Sequence, residues 1–213
     1  RGEVLTVDWH PTGGPVCYGG ARDGVFFRLD PRAGDCQQDT SPGFHGFRHP
    51  SSVAHLRALD DGHQLLAAGP RGAMAVYDLR WMTQEVRRSN SRSGRRAAAV
   101  TPSRSVVQMP EYSNAAHIHI GLDITRVSGA GRVVAAGMDD GSVGVFSLRT
   151  GKKLRAGALD NFDRLKLGDG GGVVKALQWQ AMPWEKDPSL WVAAGSVVRK
   201  FSFGLDEDED GDC

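Results

Sequence analysis

The chain has 213 residues, of which 40% are hydrophobic and 24% are charged, an ordinary composition for a soluble globular protein. Its 28 glycines are about twice the usual share of roughly 7%, which favours short strands joined by tight turns. No apolar run approaches the ~18 residues that a membrane span needs, so we expect no membrane partner.

Charge is unevenly distributed along the chain, although the formal net charge is only +1. The last eight residues hold six acids and no base, and without them 26 bases stand against 19 acids, a balance of +7. Six of the bases are arginines in one segment, Arg87–Arg104. The three cysteines, Cys17, Cys36 and Cys213, form neither a CxxC pair nor a disulfide framework, which fits a reducing compartment.

The first predicted strands lie between residues 4 and 30. Leu5, Val7 and Trp9 alternate with polar residues, so they share one face of a half-buried strand. Turns that contain proline, aspartate and glycine separate it from further strands predicted at Val16–Gly20 and Val25–Leu29. The segment then ends in the letters LDPR.

Residues 52–80 repeat this plan. A strand at Val53–Leu59 leads through an Asp-Asp-Gly turn into the hairpin Leu65–Arg80, which breaks at a Gly-Pro-Arg-Gly turn. Asp78 and Arg80 lie two residues apart, so we expect them on the same strand face, where the carboxylate can orient the planar guanidinium.

Two more copies follow, in residues 117–150 and 173–203. The predicted strands are His117–Ile124, Val133–Gly137 and Ser142–Leu148 in the third copy, and Val174–Trp179, Leu190–Gly195 and Val197–Phe203 in the fourth. Pairs of small residues recur at 19–20, 68–69, 136–137 and 194–195, and a large apolar residue closes each copy: Leu29, Tyr77, Phe146 and Phe201.

Repeats of about 40–45 residues with four strands and an aromatic-Asp ending are the signature of a WD40 β-propeller blade. One such blade cannot bury both of its faces, so blades stack against one another. We therefore predict an all-β WD40 propeller. Because seven blades usually close the ring, four copies predict a partial arc: either upstream blades are missing from this chain, or the arc is open and exposes apolar faces on its first and last blades.

The predicted organisation has four parts. Two blades lie in residues 1–82, an Arg/Ser-rich insertion and linker in 83–116, two blades in 117–204, and an acidic disordered tail in 205–213.

The stretch Leu65–Arg80 resembles the box by which WD40 proteins dock on the adaptor of cullin-4 ubiquitin ligases, the large subunit of damaged-DNA-binding protein. That box ends in aromatic-Asp-x-Arg, and here the ending is YDLR, with Tyr in place of the more common Trp. The preceding copy ends in the looser LDPR, so the two endings resemble the paired motif of many cullin-4-associated factors.

Over nearly its whole length, the chain is similar to the C-terminal half of the WD-repeat cullin-4-associated factor four family. The matching pieces are the turn Gly20–Phe26, the blade His49–Arg80, the segment Met109–Asn114 before the letters HIH, and the ending Val192–Gly195.

This resemblance implies a substrate receptor whose adaptor-docking residues are Asp78, Arg80, Asp30 and Arg32. The arginines would insert into the adaptor from one rim, while another surface holds an unknown protein substrate for ubiquitination, in the nucleus and/or the cytoplasm. Because Pro31 lacks an N–H and has a fixed φ, we expect the second motif to be the better formed. Arg149 follows Ser147 rather than an aspartate, so we expect no docking there.

Three alternatives stay open from the residues alone. The Asp–Arg pairs could merely satisfy each other at blade corners, where exposed pairs contribute ~0–1 kcal/mol. The chain could be a general WD40 scaffold in an unrelated complex. The arginines of Arg87–Arg104 could form a solvated loop or contact an acidic partner or nucleic acid, although no aromatic residue is interleaved to stack on bases.

Nothing in the sequence predicts catalysis, a metal or a cofactor. His117 and His119 would share a strand face, but no third ligand lies at a metal-like spacing, so we expect ordinary strand residues. Asp139 and Asp140 could be read as a carboxylate pair, yet the following glycine makes turn chemistry sufficient. The GxSxG, HExxH and P-loop motifs are absent, so we expect no enzyme.

Overall fold

The structure of the chain is a computed structural model that describes residues 3–30, 32, 46–81, 104–160 and 173–203. These residues form four antiparallel sheets. The chain divides into two compact units, one made of Arg1–Pro110 with Asn114–Ile118, and the other of Glu111–Ser113 with His119–Cys213.

The first unit contains two four-stranded sheets, each with its strands in sequence order. Sheet A consists of β1 (Val4–Trp9), β2 (Cys17–Ala21), β3 (Val25–Leu29) and β4 (Gly46–Arg48). Sheet B consists of β5 (His55–Ala58), β6 (Gln64–Gly69), β7 (Ala73–Asp78) and β8 (Val107–Gln108), and a short 3-10 helix follows β7 at Leu79–Trp81.

The second unit contains two sheets of the same kind. Sheet C consists of β9 (Leu122–Val127), β10 (Gly131–Gly137), β11 (Val143–Ser147) and β12 (Lys153–Leu154), followed by the short helix α1 (Gly157–Asp160). Sheet D consists of β13 (Ala176–Gln180), β14 (Ser189–Ala194) and β15 (Val197–Phe201).

Within the first unit, one face of sheet A packs against one face of sheet B. Sheet A contributes Tyr18 and Phe26, and sheet B contributes Leu56, Leu65 and Tyr77, all of them buried. The rings of Phe26 and Tyr77 lie 5.0 Å apart between centroids, close enough for a favourable aromatic contact. The core of this unit is therefore the layer between its two sheets.

The second unit has the same arrangement. Val133 and Ala135 of sheet C lie in one buried cluster with Trp179, Leu190 and Phe201 of sheet D. The described large apolar side chains that stay exposed lie mostly on sheets A and D and their loops.

In each unit, a carboxylate on the first strand of one sheet reaches the first strand of the next sheet. Asp8 in β1 accepts a hydrogen bond from the backbone N–H of Ala58 in β5 at 2.7 Å. Asp123 in β9 accepts one from the N–H of Trp179 in β13 at 2.8 Å. These N–H groups belong to edge strands and have no strand partner on that side, so the carboxylates satisfy them and join the sheets.

Several strand bounds differ from the sequence-based prediction. The strand expected at His117–Ile124 begins only at Leu122, because the Asn114 side chain holds the preceding residues in a turn. Its amide accepts from the His117 N–H and donates to the His117 carbonyl, both at 2.8 Å. The fourth strands β4, β8 and β12 were not among the predicted strands, and β8 lies inside the segment predicted as insertion and linker.

The described residues contain neither a helix that could span a membrane nor a cluster of metal-ligating side chains. No helix in these ranges is both long and apolar enough to cross a membrane. Likewise, no three of the described histidine, cysteine, aspartate and glutamate side chains come together as metal ligands would.

Candidate functional site

The candidate site begins where β7 ends. Asp78 is the last residue of β7, and the chain turns there into the 3-10 helix Leu79–Trp81. The N–H of Leu79 donates to the carbonyl of His63 at 2.8 Å, which closes this turn against the start of β6. Arg80 is therefore held in a helical turn rather than on the strand face that the alternation predicted.

Asp78 and Arg80 are joined by three hydrogen bonds. Oδ1 of Asp78 accepts from the backbone N–H of Arg80 at 2.9 Å and from its Nε at 3.0 Å, and Oδ2 accepts from Nη2 at 2.7 Å. The expected pairing of these two side chains is confirmed, and its two-pronged geometry fixes the plane of the guanidinium.

Asp30 and Arg32 repeat this geometry at the end of β3. Oδ1 of Asp30 accepts from the backbone N–H and the Nε of Arg32, both at 3.1 Å, and Oδ2 accepts from Nη2 at 3.0 Å. All three donors belong to Arg32, so an N–H at position 31 is not needed. The Asp30–Arg32 pair thus has the same three bonds, and each of them is 0.1–0.3 Å longer than its counterpart between Asp78 and Arg80.

The two pairs differ in burial. The Asp78 side chain is 6% exposed and that of Asp30 is 27% exposed, while the side chains of Arg80 and Arg32 are 59% and 69% exposed. Each site thus presents a solvent-facing guanidinium on a carboxylate that lies deeper. Asp78 has the more enclosed position, so its arginine has the firmer support.

The electrostatics follow from this contact. The hydrogen bond from the Arg80 side chain lowers the pKa of Asp78 below its usual value, and the Asp78 carboxylate raises the pKa of Arg80. The same exchange lowers the pKa of Asp30 and raises that of Arg32. Both pairs are therefore fully ionised at neutral pH.

Both pairs lie at the same edge of the first unit. The bond between Asp8 and the N–H of Ala58 brings the C-terminal ends of β1 and β5 together. In sheet A, Trp9 at the end of β1 pairs with Cys17, which pairs with Leu29 at the end of β3. In sheet B, Ala58 at the end of β5 pairs with Leu65, which pairs with Tyr77 near the end of β7. Asp30 and Asp78 follow directly after those residues, so the four predicted docking residues share one rim of this unit.

A buried polar contact that sequence analysis missed supports β7. His49 is 2% exposed, and its Nδ1 lies 2.9 Å from the hydroxyl of Tyr77, the residue before Asp78. Its Nε2 lies 3.2 Å from the carbonyl oxygen of Ala73. A carbonyl can only accept, so Nε2 carries the proton and Nδ1 accepts from Tyr77. Burial lowers the pKa of His49 to about 4 and raises that of Tyr77 to about 12.

Within the described residues, the histidine and aspartate candidates from the sequence do not come together as a second site. His117 and His119 lie outside the strands, so they do not share a strand face. Asp140 accepts from the N–H and the hydroxyl of Ser142, as expected for turn chemistry. The arginine segment, apart from Arg104, and the acidic tail lie outside the described residues.

Comparison with known proteins supports the fold. No family model and no curated protein matches this chain. Among solved structures, it is similar to the computationally designed Ika4 protein, with a TM-score of 0.56 and 17% identity over 96% of this chain and 93% of that one.

Two longer chains are also similar. The designed Ika8 protein aligns with a TM-score of 0.54 and 17% identity over 94% of this chain and 46% of its own. A chain of the mitotic checkpoint complex aligns with a TM-score of 0.52 and 17% identity over 93% of this chain and 51% of its own. This chain thus spans about half the length of those two, and its four antiparallel sheets resemble part of a WD40-like β-propeller.

Proposed function

We propose that this chain is a WD40 protein-interaction scaffold, four blades of a seven-bladed ring, that acts as a substrate receptor of the cullin-4-associated factor four family. Its partner is the cullin-4 ligase adaptor, the large subunit of damaged-DNA-binding protein. The observation that carries the proposal is the pair of exposed guanidiniums, each fixed by three hydrogen bonds, on one rim of the first unit.

Fixed guanidiniums suit docking for an energetic reason. An arginine side chain normally loses rotamer freedom when it binds, and that loss weakens association. Asp78 fixes the orientation of the Arg80 guanidinium before a partner arrives, and Asp30 does the same for Arg32. Each arginine therefore has less rotamer freedom left to lose on binding. Arginine is also among the residues that dominate interface energetics.

The mechanism is positioning rather than chemistry. The rim with Arg80 and Arg32 binds the adaptor, and another surface holds a protein substrate while the rest of the ligase delivers ubiquitin. The chain itself supplies no catalytic group or cofactor in this scheme. In this scheme the chain acts in the nucleus and/or the cytoplasm, because the spacing of its three cysteines predicts no disulfide framework.

The test is binding of the purified chain to the purified adaptor, with Arg80→Ala as the main variant. We expect an affinity loss of about 30-fold or more, the usual effect of removing a central arginine anchor. Arg149→Ala is the matched control, because Arg149 is also exposed after a third strand but has Ser147 where the motif has aspartate. Equal binding by wild type and Arg80→Ala would overturn the role of Arg80.

The second candidate is a general WD40 scaffold in an unrelated complex. It is favoured by the fact that each arginine already has its own carboxylate, so the pairs can be structural. The binding test distinguishes this candidate from the first, because a general scaffold would not bind the adaptor even as the wild-type chain. Contact with nucleic acid through Arg87–Arg104 is a third possibility, in which deletion of residues 87–104 would abolish a strongly salt-dependent affinity.

A further inference from the structure

The turn between β6 and β7 contains a strained residue. Arg71 has a φ of 63°, and it is the one non-glycine residue with a positive φ in the part of the chain that the structure describes. Gly72 follows with a φ of 62°, and the N–H of Ala73 donates to the carbonyl of Pro70 at 3.4 Å. Two successive residues with positive φ form the centre of a type I′ hairpin turn, whose first central position favours asparagine, aspartate or glycine over arginine.

Sheets A and C have hairpin turns of the same length at the equivalent place, without this strain. In each hairpin five residues separate equivalent strand pairs: Gly20–Phe26, Ala68–Met74 and Gly137–Val143. Asp23 and Asp140 hold the register of Arg71, and each accepts the backbone N–H two residues later, at 3.2 and 2.9 Å. Pro70 suits the second position of such a turn, so the local sequence does not itself impose the strain on Arg71.

A neighbouring loop of the same unit holds the strained turn in place. The N–H of Gly72 donates to the carbonyl of Asn114 at 2.9 Å, and that of Arg71 donates to Ala115 at 3.3 Å. In sheets A and C the N–H of the equivalent glycine donates within its own turn instead. Asn114 is 1% exposed and closes the loop through two bonds to His117. The left-handed turn thus persists because this loop over-determines it, a feature that is concentrated at ligand-binding sites.

The strained turn presents a guanidinium to solvent. The side chain of Arg71 is exposed, and it has no hydrogen-bond or ion-pair partner among the described residues. Residues 69–73 and 114–118 contain no acid, and the exposed His117 adds an imidazole. Small apolar side chains that are exposed or half-buried surround it: Pro70, Ala115 and Ala116. This surface therefore offers an unpaired cation beside a small apolar rim, which suits a carboxylate on a peptide segment.

We propose that this turn anchors an acidic segment of the protein substrate, through a salt bridge between Arg71 and an aspartate or glutamate side chain. The inference rests on the proposed function for the existence of a substrate, and it adds where the substrate is held and by which chemistry. A guanidinium binds a carboxylate through two parallel hydrogen bonds. Because the loop already fixes the backbone of Arg71, less freedom is lost when the substrate binds.

The position of Arg71 keeps the substrate away from the adaptor. Arg71 precedes β7 and Arg80 follows it, and the six residues of this strand span roughly 20 Å. The substrate and the adaptor thus occupy opposite ends of one hairpin, so both can bind at once.

The test selects short peptides from a random display library on the wild-type chain, with counter-selection on Arg71→Ala. We expect the selected peptides to be enriched in aspartate and glutamate, and to bind wild type at least about tenfold more tightly than Arg71→Ala. Arg149→Ala is the matched control, because Arg149 is also exposed in a turn, and it should bind these peptides as wild type does. Selected peptides without acids, or no peptide that discriminates against Arg71→Ala, overturn the proposal. So does a single-stranded oligonucleotide whose binding requires Arg71.

Arg71→Asn separates binding from folding. Asparagine tolerates positive φ, so this variant should melt about 1–4 °C above wild type, and it should lose the selected peptides as Arg71→Ala does. Arg149→Asn should raise neither the melting temperature nor the dissociation constant of the peptides. An Arg71→Asn chain that melts no higher than wild type, or that still binds the peptides fully, overturns the proposal.

Adaptor binding is measured in parallel, because its failure has a different meaning. Arg71→Ala should leave the affinity for the adaptor unchanged, since Arg71 and Arg80 lie at opposite ends of β7. A wild-type chain that selects acidic peptides through Arg71 but does not bind the adaptor would overturn the proposed function and leave the anchor in place. A chain that binds the adaptor but selects no such peptides would overturn the anchor alone.

Discussion

The hydroxyl of Tyr77 donates to Nδ1 of His49 across 28 residues of sequence, at 2.9 Å, directly before the Asp78–Arg80 pair. This buried bond holds the end of β7, and the 3-10 helix Leu79–Trp81 follows directly after it. A buried histidine thus holds the residue directly before the carboxylate that orients Arg80.

The buried state of His49 makes stability depend on pH. Its pKa is about 4 in the folded chain and near 6.5 when unfolded, so between these values the unfolded state binds more protons. The contribution of neutral His49 to the free energy of unfolding is therefore fully present above pH 6.5. It is lost as the pH falls toward 4, which lowers the free energy of unfolding by ~3 kcal/mol in total. Urea unfolding at a series of pH values measures this slope.

The matching variants are His49→Gln and His63→Gln. Glutamine at position 49 cannot become charged, so the part of the slope between pH 6.5 and 4 should disappear even if overall stability is lower. His63 is exposed, and its replacement should leave the slope in place. A slope that survives His49→Gln unchanged would show that other groups cause it.

Asp78→Asn and Asp30→Asn separate the two docking pairs. Asparagine replaces the acceptor Oδ2 with an NH2 group, so the bond from Nη2 is lost and the guanidinium turns more freely. Because Asp78 is the more enclosed carboxylate, Asp78→Asn should lower adaptor affinity more than Asp30→Asn. Calorimetric titration of the adaptor with each variant measures the difference.

If Asp78 acts only through Arg80, its effect depends on that arginine. In a chain that already carries Arg80→Ala, Asp78→Asn should cause no further loss, and the two single effects should not add. A full additional loss in the double variant would mean that Asp78 contacts the adaptor itself.

How much the sequence predicts depends on the distance between the interacting residues. The Asp78–Arg80 pair was predictable because its partners lie two residues apart on a recognisable strand ending. The bond of His49 to Tyr77 was not, because it requires knowing which strands become neighbours. For the same reason, the alternation around Trp9 predicted an apolar strand face but not which residues of β2 and β3 would share that face.

Gly69 occupies a place where no side chain fits. A Cβ there would lie 1.8 Å from the carbonyl oxygen of Ser52, which is backbone and cannot rotate away. Gly69→Ala should therefore force the chain entering β5 apart from β6 and destabilise the first unit by about 1–3 kcal/mol or more. Gly157→Ala is the control, because a Cβ there meets nothing within 4 Å and its stability should change by less than about 0.5 kcal/mol. Equal melting temperatures for the two variants would contradict the clash.

Trp179 and Trp9 hold equivalent positions in their sheets but differ in burial, so replacing each tests what burial contributes to stability. Both stand at the same position of their blades, yet Trp179 lies in the core with sheet C and Trp9 is exposed. Trp179→Ala should cost about 3–5 kcal/mol, because it leaves a cavity between two sheets. Trp9→Ala should change stability by less than about 0.5 kcal/mol, because the side chain of Trp9 is 61% exposed.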